Sequence, residues 1–396
     1  MVNSTKVQVF EVGNYMSIFL LVFFLIYGGV HLYFFIKIKI AFSLGMAAGV
    51  CLAFILIAMI VAPIMVRILE KGAMEEAARL MAYSGYLWMG FLFLFFSASL
   101  AIDVYHGLLH AAGLVSCKDF SSLFLSSRTA FIVPLAWGMI TAVCGYNEAR
   151  NIRSERVVLT SPKIPQAIGK LTIVQISDVH LGLIVRIERL KIMLDVVKAA
   201  APDILVATGD LVDGQIDSLA GLAELLRDVR PRYGKFAITG NHELYAGLEP
   251  SRGFMRSAGF KILQGEEFTI PGLITIAGVD DPVIKRFSGA AFDEEQRLMA
   301  GFPKDTYTLL LKHRPALRDE SIGRFDLQLS GHVHKGQLFP FNLVTYLFYP
   351  VKAGINHYPQ NTLLYVSRGT GTWGPPIRFL APPEVTIIEL SHGPAN

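Results

Sequence analysis

The stretch LQLSGHVHKGQL, Leu327–Leu338, passes from a short apolar segment through Gly331 into two imidazoles, His332 and His334, that flank a single valine. The apolar segment reads as a buried strand, so both imidazoles fall where a strand gives way to a loop. Two loop histidines mean little alone; the ends of the other strands decide. KLTIVQISDVH (Lys170–His180) ends in Asp178 and His180, DILVATGD (Asp203–Asp210) in Asp210, and KFAITGNHE (Lys235–Glu243) closes on Asn241, His242 and a glutamate. LLLKHRP (Leu309–Pro315) puts His313 and Arg314 at the same point of a fifth run. Helix-length amphipathic segments, Arg186–Pro202 and Ser218–Gly234, separate the first three runs. This β-α-β-α-β alternation predicts an α/β domain with sheet and helices in layers.

In α/β folds ligands bind beyond the carboxyl ends of the strands, so the five clusters are expected to meet in one crevice. Residues i and i+2 on extended backbone share a direction, which would pair Asp178 with His180 and His332 with His334. Gly209, Gly240 and Gly331 stand before Asp210, Asn241 and His332, where tight turns and close backbone approach are needed. Carboxylates taken out of water require a compensating charge, and no lysine or arginine recurs within the clusters. Divalent cations would satisfy the set. Nitrogen and oxygen donors without thiolate suit Mn, Fe, Zn or Co. Two such ions about 4 Å apart, bridged by a carboxylate, are suited to in-line displacement at phosphorus. A single GD, GNH or HxH could be a turn or a polar loop; the order and spacing of all five carry the reading.

The series DVH, GD, GNHE, KH and GHVH resembles the calcineurin-like metallophosphoesterase superfamily over about Lys170–Leu390. The resemblance implies a four-layer αββα fold, two packed mixed sheets flanked by helices, with a two-metal centre. It implies that Asp178, His180, Asp210 and His334 hold one metal and that Asp210, Asn241, His313 and His332 hold the other, with Asp210 bridging. His242 would be the catalytic histidine. The closing SRGTGTWGPPIRFLAPPEVTIIEL (Ser367–Leu390) is similar to the membrane-linked branch that includes YkuE- and YaeI-type proteins, some relatives of which resemble UDP-2,3-diacylglucosamine pyrophosphatases. That branch usually carries GHTHGGQ; here Val333 and Lys335 stand in GHVHKGQ, and the ligand positions survive both changes. Lys335 and Arg314 are candidate phosphate contacts, with solvent exposure and an ordinary salt bridge as the alternatives. Purple acid phosphatases have a tyrosine in GDxxY; Asp213 takes that place here, so tyrosinate-bound iron is not implied. Asp213 itself reads as a turn or helix-capping residue.

The first 150 residues have another texture. Of the 396 residues 53% are hydrophobic and 17% charged, a low charge fraction for a soluble chain. Four runs are long and nearly free of charge: 16–36, 40–66, 81–102 and 129–146. Each is near or above the ~20 residues that cross a bilayer as a helix. The first follows no basic cluster and lacks a small-residue cleavage pattern, so it reads as a retained anchor. The predicted organisation is a four-helix transmembrane region (1–150), a linker and first strand (151–169), and a metallophosphoesterase domain (170–391). Lys6, Arg67, Lys71, Arg79, Arg150, Arg153 and Arg156 fall on one side of these helices and Lys37, Lys39, Lys118 and Arg128 on the other. This bias favours a multi-pass integral membrane protein with a cytoplasmic catalytic domain. A net charge of +4 without a basic block gives nucleic acid no support. Cys51, Cys117 and Cys144 form no metal or redox spacing.

Two other features could carry chemistry. Asp103, His106 and His110 lie at i, i+3 and i+7, on one face if the third helix continues that far. The segment LFPFNLVTYLFYPVKAGINHYP (Leu338–Pro359) is crowded with aromatics close to the expected site, as suits a membrane interface or an acyl-chain groove; packing on the core is the alternative. The expected activity is hydrolysis of a phosphodiester or pyrophosphate, with a lipid-linked substrate attractive. The alternative is a metal-binding sensor or scaffold that regulates the membrane region without turnover. Oligomeric state is not legible.

Overall fold

Helices that are apolar all round belong in a core or a bilayer, and the amino-terminal part of the computed structural model is made of them. The structure describes residues 2–214, 219, 221–284, 294–351 and 353–395, without the side chains of 2–17, 19 and 294. Backbone contacts divide the chain into two units, Met1–Gly145 and Tyr146–Asn396. Among the described residues, four helices are long and apolar enough to cross a membrane: α1 (Val2–Phe42), α2 (Met46–Lys71), α3 (Glu75–Ser116) and α4 (Ser127–Arg150). The expected run 40–66 straddles a break. α1 continues to Phe42, and the chain turns at Ser43, with φ 52°, before α2 starts. Apolarity is continuous across that turn, so composition hides it.

Tyr27, Phe34, Leu56, Leu92, Phe95 and Phe131 form the centre of this first unit. Small residues bring α2 and α3 together: a Cβ on Gly85 would lie 2.9 Å from that of Ala62. Polar side chains inside the unit are paired. Asp103 forms an ion pair with Lys37 and accepts from the Tyr33 hydroxyl at 2.6 Å, and the Trp88 indole donates to His31 Nε2 at 2.9 Å. The Asp103–His106–His110 face does not converge on one site. Asp103 turns to α1, whereas His106 Nε2 accepts from the Leu125 backbone at 3.1 Å and fastens the loop after α3.

The second unit is built on two mixed sheets, each of six strands among the described residues. The first contains β1 (Arg153–Ser161), β2 (Lys170–Ile176), β3 (Ile204–Thr208), β4 (Lys235–Ile238), β5 (Lys261–Ile262) and β12 (Glu384–His392), in the order β1-β12-β2-β3-β4-β5. β2 to β5 are parallel, and β12 runs antiparallel to β2. The second contains β6 (Glu266–Ile270), β7 (Ile274–Val279), β8 (Tyr307–Lys312), β9 (Leu327–Ser330), β10 (Gly354–Tyr358) and β11 (Thr362–Val366), in the order β10-β11-β9-β8-β7-β6. Strands β3, β8 and β9 are buried throughout and β2 from its second residue onward, the mark of strands covered on both faces.

Three apolar seams follow. Ile173, Val206, Phe236, Ile276, Leu309 and Leu329 belong to the seam between the sheets. On the outer face of the first sheet, Val174, Leu205 and Ile387 pack with α5 (Ile187–Ala199), α6 (Leu222–Arg227) and α8 (Leu248–Ser257) through Leu190, Leu226 and Met255. On the second, Ala277 and Leu310 meet Met299 of α9 (Glu294–Ala300). The four-layer αββα arrangement expected from the sequence is the one observed.

Candidate metal centre

The strands β2, β3 and β4 run parallel to one another in the first sheet, as β8 and β9 do in the second, and all five end in the residues singled out by the sequence. Asp178 and His180 follow β2, Asp210 follows β3, Asn241 and His242 open α7 (Asn241–Ala246) after β4, His313 follows β8, and His332 and His334 follow β9. The expectation of extended backbone at these ends does not hold. Asp178, His180, Asp210, His332 and His334 all have positive φ, between 48° and 71°. Each side chain is therefore aimed by a sharp local turn, and the alternation rule for strands does not apply.

That difference separates the two imidazoles of GHVH. His334 Nε2 lies 3.1 Å from His180 Nε2 and 3.4 Å from Asp178 Oδ1. His332 Nδ1 lies 3.2 Å from His313 Nε2, which in turn is 3.1 Å from Asp210 Oδ2. Two donor sets result, Asp178–His180–His334 and Asp210–His313–His332, each compact enough to hold a cation. Asp210 also groups with His180 and His242, so it stands between the sets. The glycines make this approach sterically open: a Cβ on Gly331 would fall 2.0 Å from Ser177 Oγ and 2.1 Å from Asp178 Oδ2, and one on Gly240 2.2 Å from Asp210 Oδ1.

The donor set fits cations. Asn241 Oδ1 is buried without a hydrogen-bond partner, an arrangement that costs free energy unless something electropositive meets it. The Nδ1–H of His313 donates to the Thr208 carbonyl at 2.8 Å, which aims its Nε2 at Asp210 and His332. Burial opposes a charge on this ring, but Asp210 outweighs it and raises His313 to about 10, so a cation held there would take the place of the Nε2 proton. Burial, with the neighbouring His313 and Arg314 charges, lowers His332 to about 2; burial and the Arg378 guanidinium hold His334 well below the usual imidazole range. Both rings therefore keep lone pairs available. Burial raises Asp178, whereas His313, His242 and His180 hold Asp210 well below the carboxylate range despite its burial.

His242 is differently placed. Its Nδ1–H donates to Asp213 Oδ1 at 2.7 Å, and the other Asp213 oxygen is 3.6 Å from His180 Nδ1. Burial opposes a charge on His242, but Asp213 and Asp210 outweigh it and raise the ring to about 9. Asp213 is thus the orienting partner of His242, not the turn or cap expected. The signal was its position three residues after Asp210, on the same loop. Glu243 was also missed: its buried carboxylate accepts from the N–H groups of Gly240 (2.7 Å), Asp210 (2.9 Å), Leu211 (2.7 Å) and Val212 (3.2 Å), and so ties the GD loop to the GNHE turn.

Arg314 lies at the rim. Asp281 holds it through two contacts, 2.7 and 3.2 Å, and it donates to the Tyr349 hydroxyl at 3.2 Å. Tyr349 also meets the edge of His332, with ring centres 5.3 Å apart. Lys335 is exposed. Arg378, fully buried, donates to the carbonyls of His334 and Arg368 and fixes the turn that carries His334.

Comparison with known proteins gives the family. The calcineurin-like phosphoesterase family model matches residues 171–336. A metallophosphoesterase of Aquifex aeolicus is 40% identical over 240 residues, which cover 60% of this chain and 92% of that protein. The metallophosphoesterase YkuE of Bacillus subtilis is 31% identical over 277 residues, 65% of this chain and 93% of that protein. A transmembrane protein with metallophosphoesterase domain from Danio rerio is 32% identical over 266 residues, 64% of this chain and 61% of that protein. The chain therefore spans about three fifths of the length of the Danio rerio relative.

Proposed function

Since the chain belongs to the calcineurin-like metallophosphoesterases, we propose that it is a multi-pass membrane enzyme that hydrolyses a phosphodiester or pyrophosphate bond, using two divalent cations, on a lipid-linked substrate. The observation that carries this reading is the pair of donor sets at the ends of the parallel strands, with Asp210 of one set also grouped with His180 of the other. Asp178, His180, Asp210 and His334 would hold one cation, and Asp210, Asn241, His313 and His332 the other. When bound, such a pair neutralises phosphate oxygens and lowers the pKa of water toward ~7, supplying the nucleophile.

The chain's own residues then do the rest. His242, kept protonated by Asp213, donates a proton from Nε2 to the departing oxygen. Arg314, held by Asp281, presents guanidinium N–H groups at the rim for a phosphate oxygen, and exposed Lys335 adds positive charge. Glu243 keeps Asp210 and His242 in register by clamping the backbone between them. The apolar helices α1–α4 support membrane residence, and the Lys/Arg bias of their flanks supports a cytoplasmic catalytic unit. Substrates of this class include a phospholipid and a nucleotide-diphosphate acylglucosamine.

The test is hydrolysis of bis-p-nitrophenyl phosphate by purified full-length protein with Mn, Zn, Fe or Co. Metal-dependent release of nitrophenol that is lost in Asp210→Ala supports the proposal. Metal bound without hydrolysis would favour the sensor or scaffold reading.

A further inference from the structure

Beyond the centre, one surface has no role in the chemistry above. Helix α10 (Phe341–Phe348, FNLVTYLF) carries no charge and buries none of its residues. Leu347 is 80% exposed, Phe348 74% and Leu343 62%, and Phe339, Phe341 and Tyr346 are exposed beside them. An apolar patch of this density marks a contact surface, because scattered apolar residues are normal whereas contiguous ones are not. From this surface we infer that α10 is a bilayer-docking element: it inserts into the headgroup–acyl boundary and seats the metal centre at headgroup level, so that the phosphorus attacked belongs to a membrane lipid.

Three observations select a bilayer as the occupant. The chain itself brings one: α4 ends at Arg150 and the first strand begins at Arg153, so the catalytic unit is covalently held within a few residues of an apolar helix. The charge pattern suits an anionic lipid surface. No Asp or Glu occurs between Asp326 and Glu384, a stretch that carries exposed Lys335 and, in sequence, Lys352; its two arginines are engaged inside the fold, Arg378 fully buried and Arg368 paired with Glu155 and Glu384. Exposed aromatics and apolar residues on a helix without acidic side chains are what interfacial helices present. Finally, the helix is continuous with the centre. The turn carrying His334 runs directly into it, with Gly336 packed so closely on the Asn342 backbone that a Cβ would fall 2.4 Å away. At its other end Tyr349 touches Arg314 and His332. A lipid whose acyl chains lie along Leu343 and Leu347 would thus have its headgroup beside Arg314.

The docking rests on the surface alone; its consequence for substrate rests on the phosphoesterase reading, and the experiment separates them. In full-length protein with Cys51, Cys117 and Cys144 replaced by alanine, Leu347→Cys is labelled with an environment-sensitive fluorophore and reconstituted into phosphatidylcholine–phosphatidylglycerol vesicles. The same label at Lys198→Cys serves as the water-exposed control. The expected result is a blue shift at 347 only, with emission roughly halved by acyl-brominated lipid. No shift overturns the inference. A shift without quenching also overturns it, because protein, a second copy or another part of the chain, would then cover the face.

A second arm uses one leaving group in two settings. The combined substitution Leu343→Glu, Leu347→Glu, Phe348→Glu should cleave bis-p-nitrophenyl phosphate within about twofold of the unsubstituted protein, and p-nitrophenyl phosphatidate in vesicles about tenfold more slowly. Equal rates on the vesicle lipid would refute the substrate consequence. Failure of the unsubstituted protein on both esters would refute the phosphoesterase reading and leave the quenching result standing.

Discussion

Replacing Asp213 by asparagine isolates the charge that the structure places behind His242. The asparagine carbonyl can still accept the Nδ1–H now donated at 2.7 Å, so the ring keeps its orientation and loses a negative neighbour. Burial works against the imidazolium, and Asp213 leads the groups that raise it to about 9. A unit charge ~4 Å away at an effective dielectric of ~20 is worth about 4 kcal/mol, which bounds the fall at about 3 pKa units. Asp210 remains and also raises the ring, so a fall of about 2 units is expected. In the proposed mechanism the protonated form of His242 is the acid. At pH 8 a fall from about 9 to about 7 reduces the protonated share roughly tenfold, and kcat with it; at pH 6 the two proteins should differ little. The quantity tested is the separation of the two alkaline limbs, about 2 pH units, which a cation acting equally on both proteins leaves in place. The assay is kcat on bis-p-nitrophenyl phosphate from pH 5.5 to 10, with metal content measured in parallel. An alkaline limb that stays in place, or a loss equal at every pH, would refute His242 as the proton donor tuned by Asp213.

Further substitutions separate holding metal from turning over. Asp210→Ala should lose both activity and bound metal, whereas His242→Ala should keep its metal by elemental analysis and lose about 10²–10⁴-fold in kcat; equal metal loss in both would mean His242 is a ligand. Glu243→Ala strands the N–H groups of Gly240, Asp210, Leu211 and Val212, which should cost about 3 kcal/mol or more, read as a lower thermal midpoint of the catalytic unit. Gly331→Ala forces a Cβ to 2.0 Å from Ser177 Oγ; the expected cost is about 1–3 kcal/mol together with weakened metal binding in a titration. Asp103→Ala leaves Lys37 without its carboxylate inside the helical unit and should lower stability by about 1–2 kcal/mol, with soluble-ester hydrolysis unchanged.

The fold was legible because two periodicities are unmistakable: helix-length amphipathic segments between buried strands, and four long apolar runs. The positions of the candidate ligands were legible for a related reason, since each follows directly on a strand. What sequence could not supply is the turn at each strand end. Positive φ at His332 and His334 sends neighbouring imidazoles to different donor sets, although strand alternation would have kept them together. Asp213 and Glu243 escaped because their work is done on other residues: one orients His242 and the other ties down backbone N–H groups, and neither role has a spacing of its own. The break at Ser43 was hidden by apolar residues on both sides, since composition records what a helix is made of and not where it turns. Arg314 shows a further limit. Its neighbour His313 is visible in KHRP, but Asp281, which holds it, comes from a distant segment.

The central claim is that Asp210 joins two cations in one centre. Electron paramagnetic resonance of the Mn-loaded full-length protein at low temperature tests it most directly. The account predicts the signal of an exchange-coupled Mn pair, abolished in Asp210→Ala. An isolated-ion spectrum at saturating Mn, or a coupled spectrum that survives the loss of Asp210, would contradict it.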